Sequence, residues 1–229
     1  MTLHRFFVAA ADAAGDRFAL PASIDHQVRV VLRLRDGERI VLLTGDRNEA
    51  LCRLDGDVCV VEQRRASPGE PRHRLTVVQA LLKGDALEQV VQHGTEVGIA
   101  AFSLVITERC VVRELSPRRL DRLRIIARES AEQSERAMVP EVREPISFRE
   151  ALLSRSVLLL ERQDAKRLSE LEPPTGVIIG PEGGFTAAEV EAAAGAGLEL
   201  AGLGPRILRS HTVAVAVAAA ILSRTGDFA

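Results

Sequence analysis

The chain has 229 residues, 46% of them apolar and 27% charged, the make-up of a folded protein long enough for one domain of about 150 residues and a smaller second one. A formal charge of -2 excludes a uniformly basic nucleic-acid binder, because sequence-independent phosphate binding needs Lys and Arg in surplus, so any RNA site must be a local patch. Three cysteines outside any Cys-x-x-Cys or Cys/His pattern (Cys52, Cys59, Cys110), an N-terminus without a secretory core, and a longest apolar run (Val213 to Leu222) half the roughly 20 residues of a membrane span set the expectation of a cytoplasmic protein without disulfides, metal or membrane.

From Gln27 to Arg64, apolar runs are broken at Asp36-Gly37, Gly45-Asp46 and Asp55-Gly56-Asp57, which predicts a small antiparallel β-barrel. Within it Val28, Val30, Leu32 and Leu34 alternate with Arg29, Val31, Arg33 and Arg35, the pattern of a half-buried strand with a largely basic outer face. The polar, proline-containing segment Arg65 to His73 separates this region from one of different rhythm, giving domains 1-72 and 73-229. Leu75 to Leu82 reads as a buried strand, Asp85 to Gly98 as a helix with Leu87, Val90, Val91 and Val97 inward, and Phe102 to Arg109 as the next strand, a β-α-β unit. Pro117 to Arg136 reads as a long helix begun by Ser116 and Pro117. Its Arg118, Arg119, Arg122, Arg124 and Arg128 form either an RNA patch or a solvated face. Val157 to Glu161 and Gly176 to Gly180 are short apolar strands, so the second domain is α/β with a parallel sheet covered on both faces.

The strand ending at Gly180 runs into Gly180-Pro-Glu-Gly-Gly184, and Thr186 with Glu189 forms a capping box for the helix that follows. A strand, glycine loop and helix at a strand's carboxyl end is where open α/β sheets bind ligands. The loop lacks the Lys-Ser/Thr of a P-loop and the spacing of a dinucleotide fingerprint. A second loop, Leu203 to Thr212, follows the apolar run Leu198 to Leu203 and leads into Val213 to Leu222, whose alternating Val and Ala suit a strand while their small size suits a packed helix.

GPEGGFTAAE (Gly180 to Glu189) followed by LGPRILR (Leu203 to Arg209) resembles the paired cofactor loops of the RsmE family, within the SPOUT class of methyltransferases. The resemblance extends to HRFFV (His4 to Val8), His26 to Asp46, LLKGD (Leu81 to Asp85), TEVG (Thr95 to Gly98), TER (Thr107 to Arg109) and AEQS (Ala131 to Ser134). It implies a trefoil-knot catalytic domain, an N-terminal PUA-like β-barrel that binds RNA, and a homodimer. It further implies S-adenosylmethionine as cofactor and methylation of uracil ring nitrogen 3 at the decoding-region uridine of 16S rRNA, on the assembled small ribosomal subunit.

On that basis Arg209, Glu182 and His211 are the candidate catalytic residues. Arg209 offers fixed charge and paired donors, Glu182 a proton acceptor or a partner for a cationic cofactor, and His211 a group that titrates near neutrality. The cofactor residues would be Leu160 and Glu161 from one loop, Gly180, Glu182, Gly183 and Gly184 from the next, and Leu203, Gly204, Ile207, Leu208 and Thr212 from the third. Arg5, Arg29, Arg33, Arg35 and Arg206 are candidate RNA contacts, to phosphates in the barrel's case. The family often reads Leu-Arg-Thr-Glu-Thr where this chain has Leu208-Arg209-Ser210-His211-Thr212, so a shared base role for that glutamate does not carry over. Two other readings stand beside the main one: ribose 2'-O-methylation by the same class of enzyme, and a ribosome-assembly RNA-binding protein that has lost catalysis.

Overall fold

A computed structural model describes residues 3-153, 157-160 and 165-228, without side chains for 157-160. They group into two units: Met1–Glu70 with Ala131–Val139, and Pro71–Ser130 with Pro140–Ala229. The division therefore falls two residues before the expected boundary, and a short later segment joins the first unit.

The first unit contains β1 (Arg5–Phe7), β2 (Arg17–Ala19), α1 (Ala22–His26), β3 (Arg39–Leu43), β4 (Asn48–Asp55) and β5 (Val58–Ala66). They form a sheet in the order β1-β3-β4-β5-β2, with β1 parallel to β3 and the other pairs antiparallel. The pairings leave β1 and β2 as ends, so the sheet is mixed and open, whereas the sequence suggests an all-antiparallel barrel. β3 shows why its sequence is continuously apolar. Ile40 and Leu42 join a core with Ile24, Val28, Cys52, Leu54 and Cys59. Val41 and Leu43 point the other way, to Phe7, Ala131 and Ala137.

The strand expected over Val28 to Arg35 is not there. α1 continues as a π-helical turn, Gln27–Val31. Ile24 and Val28 are buried four residues apart, as a helix face requires, whereas Val30 and Val31 are 58% and 62% exposed. Arg33 then takes a left-handed φ of 56° and the Leu34 amide donates to the Val28 carbonyl at 2.9 Å, a helix C-cap. Tertiary burial of one helical pair overrides the β-propensity of the valines.

Two charged clusters tie this unit together. Glu49, 3% exposed, accepts from Arg5 and Arg65, each at 2.6 Å. Glu70 pairs with Arg136 at 3.1 Å and accepts from the Ala137 and Met138 amides at 2.9 and 3.0 Å, so the short Ala131–Val139 segment is hydrogen-bonded to the end of the main stretch. The Cys52 and Cys59 thiols are pushed by burial up to about 12 and about 11, the state of inert core side chains.

The second unit contains β6 (Thr76–Ala80), α2 (Ala86–Glu96), β7 (Ala101–Ile106), most of α3 (Pro117–Gln133), β8 (Glu141–Ser147), α4 (Phe148–Ala151), β9 (Val157–Leu160), β10 (Lys166–Arg167), β11 (Gly176–Ile179), α5 (Ala187–Gly195), β12 (Glu199–Gly202) and α6 (Ser210–Arg224). Its seven strands run β10-β12-β9-β11-β6-β7-β8, and every described pairing is parallel. The chain builds outward from β6 to β8, returns to the opposite side, and inserts β11 between β9 and β6, so the order reverses at the β6/β11 border. In such sheets the crevice beyond the strand ends at that border holds the ligand.

The central strands are buried on both faces, as Val77, Ala80, Phe102, Leu104, Val177 and Ile178 are all at 0% exposure. Val213 to Leu222 is helical: Ala214, Val217, Ala218, Ile221 and Leu222 are buried at helical spacing, and α6 packs on α2 and β11.

Candidate active site

The loops after β6, β7, β11 and β12 line an open cavity of about 1470 Å³, above the roughly 300–1,000 Å³ of an ordinary small-ligand pocket. The glycine loop after β11 forms one wall. The Gly184 amide donates to the Pro181 carbonyl at 2.9 Å, closing a tight turn, and Gly184 has a left-handed φ of 68° with nothing within 4 Å of a Cβ placed there. Gly180 and Gly183 are small for another reason: a Cβ would lie 3.1 Å from the Phe185 ring and 3.2 Å from the Arg109 Cβ respectively. The loop passes directly into α5, whose Thr186 and Glu189 make the capping box read from the sequence. The Glu189 amide donates to the Thr186 hydroxyl at 3.2 Å and the Thr186 amide to the Glu189 carboxylate at 2.9 Å.

Neighbouring loops hold this wall. The Lys83 amide after β6 donates to the Glu182 carboxylate at 3.3 Å. After β7, the Glu108 amide donates to Glu189 at 2.8 Å and the Arg109 guanidinium to the Gly183 carbonyl at 2.9 Å. Arg113 braces the β7 loop by donating to the carbonyls of Thr107, at 3.0 Å, and of Glu108.

The opposite wall is the β12–α6 loop. Leu203, Gly204, Arg206, Ile207, Leu208, Arg209 and His211 all line the cavity, with Ile207 77% exposed. Of the other sequence candidates, Gly180, Glu182, Gly183 and Gly184 also line it, and Thr212 does not, lying exposed on the first turn of α6. Leu160 ends β9, paired with Ala201, but its side chain is not described, and Glu161 lies outside the described residues. Sequence reasoning did not assign Lys83, Asp85, Gln89, Arg109 or Glu191 to the site, although they line it. The signal was present in LLKGD and TER, which carried the resemblance without a role being drawn from them. Among the described residues no group of His, Cys, Asp and Glu is placed to hold a metal ion, and no helix is long and apolar enough to cross a membrane.

The candidate RNA arginines divide. Arg5 is committed to Glu49 and Glu135 at 2.6 and 2.9 Å with 11% of its side chain exposed, so it is a structural ion pair and not a free phosphate contact. Arg29 binds Asp36 at 2.9 Å and the Gly56 carbonyl, bracing two turns. Arg33, Arg35 and Arg206 are exposed. In the helical arginine patch Arg119 pairs with Glu88 at 3.0 Å and Arg124 with Asp121 at 3.2 Å, while Arg118 and Arg122 are exposed.

Comparison with known proteins defines the class first. The sequence model of the RNA methyltransferase domain family matches residues 69–222. The ribosomal RNA small subunit methyltransferase E of Bacillus subtilis is 32% identical over 232 residues, covering 91% of this chain and 90% of that protein. Its counterpart from Mycobacterium bovis is 33% identical over 217 residues, with 83% and 80% covered. The crystal structure of the Neisseria gonorrhoeae ribosomal RNA small subunit methyltransferase E bound to S-adenosyl methionine superimposes with a TM-score of 0.88 at 31% identity over 100% of both chains. The chain belongs to the ribosomal RNA small subunit methyltransferase E family.

Proposed function

We propose that the chain transfers a methyl group from S-adenosylmethionine to ring nitrogen 3 of a uridine, the decoding-region uridine of 16S rRNA, on the assembled small ribosomal subunit. The observation that carries this reading is the cavity at the β6/β11 border, walled by the two loops that resemble the family's cofactor loops.

The residues present fit the cofactor. The open side of Gly184 admits a ligand against bare backbone. Leu200, Leu203 and Leu208 offer apolar surface for an adenine, while Asp85, Glu182 and Glu191 offer carboxylates to a cofactor with cationic centres. When bound, S-adenosylmethionine supplies an electrophilic methyl group on a sulfonium.

The chain's own residues must then orient uracil and manage one proton. Ring nitrogen 3 of uracil is protonated and neutral at pH 7, and it becomes a nucleophile only as that proton leaves. Arg209, at the start of α6, offers paired donors to a uracil oxygen on which charge accumulates. Glu182 and His211 are the acceptors on the cavity wall. Glu182 is also tied to the Lys83 amide, which fixes its orientation. Arg206 on the same loop, with Arg33 and Arg35 on the first unit, supplies exposed positive charge for phosphates.

The finer architecture belongs to the same proposal. The second unit is a SPOUT trefoil knot, supported by the out-of-order insertion of β11, and the first is a PUA-like domain built on its mixed five-stranded sheet. The active form is a cytoplasmic homodimer, supported by the half-buried small-residue face of α6 at Val215, Ala216, Ala219 and Ala220.

The test is incubation of the purified chain with methyl-labelled S-adenosylmethionine and small subunits lacking the modification, followed by nuclease digestion and mass spectrometry of the nucleosides. 3-Methyluridine is expected, and Arg209→Ala is expected to keep cofactor binding and lose transfer. A 2'-O-methylated ribose would assign a different acceptor, and cofactor binding without transfer would favour a non-catalytic assembly protein.

A further inference from the structure

The glycine loop is held by contacts of two kinds. Some are ordinary packing and capping: the internal turn, Phe185 beneath Gly180, and the Thr186–Glu189 box. Others come from the loops of other strands, among them the Lys83 amide to the Glu182 carboxylate and the Arg109 guanidinium to the Gly183 carbonyl. Of these two, the Arg109 bond is the one made to the glycine loop's backbone, by an exposed, charged side chain that lines the cavity.

Its target also matters. The peptide between Gly183 and Gly184 has its carbonyl bound to Arg109 and its amide bound to the Pro181 carbonyl, both at 2.9 Å. A planar peptide held at both ends cannot turn over without breaking both bonds. Neither flanking glycine has a side chain to resist such a flip, so these two bonds keep this part of the wall in one orientation, and Arg109 supplies the one that comes from outside the loop. The Arg109 Cβ packs beside Gly183 as well, in the space a larger residue would need.

We infer that Arg109 is a positioning residue for the cofactor: it locks the Gly183–Gly184 peptide so that the cavity wall is formed before the cofactor arrives. The inference rests on the cofactor reading above and adds a residue to it. Without the lock the chain must order the loop as it binds, which appears as weaker affinity and not as slower chemistry.

The experiment measures S-adenosylmethionine binding by calorimetry and steady-state methylation for the unsubstituted chain, Arg109→Ala and Arg109→Lys. A charge-assisted hydrogen bond spent on pre-organisation predicts about tenfold weaker cofactor binding and a matching rise in cofactor KM for Arg109→Ala. At saturating cofactor kcat should stay within about twofold, with partial recovery in Arg109→Lys because an ammonium still donates one bond. Unchanged affinity in Arg109→Ala overturns the inference, as does loss of kcat at unchanged KM. If thermal melting shows that Arg109→Ala does not fold, Arg109→Lys and Arg109→Gln decide it by the same ratio. Failure of the unsubstituted chain to bind the cofactor would refute the underlying reading, and this inference with it.

Discussion

Replacing Glu189 by Ala tests whether the β7 loop and the start of α5 are one cooperative piece. Glu189 is 8% exposed, and its carboxylate accepts from the Thr186 amide at 2.9 Å and from the Glu108 amide, 81 residues away, at 2.8 Å. Hydrogen bonds to charged groups contribute about 1.5–3 kcal/mol each; taking the lower figure for these partly buried amides, two of them give about 3 kcal/mol. For a unit of this size that lowers Tm by roughly 6–12 °C. Glu189→Gln keeps one carbonyl acceptor and should lose about half as much. Urea unfolding, followed by circular dichroism, reads the difference as a shift in midpoint at constant slope. A loss near 1 kcal/mol for Glu189→Ala, the worth of an isolated N-cap, would show that the bond to Glu108 contributes nothing and that the two loops are not coupled through it.

Two further perturbations probe other parts of the structure. Burial raises the Glu49 carboxyl, but the hydrogen bonds from Arg5 and Arg65 more than offset this and leave it below its ordinary 4.5. A lowered folded-state value means stability that is complete above 4.5 and lost as pH falls through the lowered value. The stability difference between the chain and Glu49→Gln should therefore be flat from neutral pH down to about pH 5 and shrink below it, and a difference that grows on acidification would contradict the ion-pair account. In α2, a Cβ at Gly94 would lie 2.8 Å from the Ile99 Cδ1 and from the Phe102 ring, which is fully buried. Overpacking of about 1–3 kcal/mol outweighs the gain of about 1 kcal/mol in helix propensity. Gly94→Ala should therefore melt lower, and a higher melting temperature would mean that helix and strand are less closely packed than described.

Much of the second unit could be read from its sequence because its strands are buried on both faces and therefore appear as uninterrupted apolar runs. Leu75 to Leu82 and Gly176 to Gly180 each contain the strand found there, and Phe102 to Arg109 takes in all of β7 but its first residue, Ala101. The Thr186 capping box was legible for a similar reason, since a cap is a local device with fixed spacing. Val28 to Arg35 misled because an alternating pattern contains i, i+4 apolar pairs as well as i, i+2 ones. Ile24 lies just outside the alternating stretch and supplies the helical partner of Val28. The reverse held for Val213 to Leu222, where the buried set is spaced three and four residues apart beneath a visible Val/Ala alternation. The arginine-rich helix stayed open between its two readings for a different reason: a count of charges cannot distinguish Arg119, which anchors Glu88, from Arg122, which is exposed.

The candidate site was half legible for a topological reason. Its two long loops carry glycines and prolines that announce a turn against a ligand, and both line the cavity. Lys83 and Arg109 carry no such signal, since a single cation after a strand is ordinary. They reach the cavity because all seven strands run parallel, which brings every carboxyl end to one edge, and because β11 lies beside β6, with β7 next in the sheet. Proximity in the sequence would have paired β11 with the strands around it in the chain and put nearly 100 residues between Lys83 and Glu182. The insertion of β11 out of chain order makes GPEGG, LLKGD and TER neighbours. Strands define where the loops emerge, sheet order decides which loops meet, and only then do Lys83 and Arg109 become groups that hold one wall of the cavity in place.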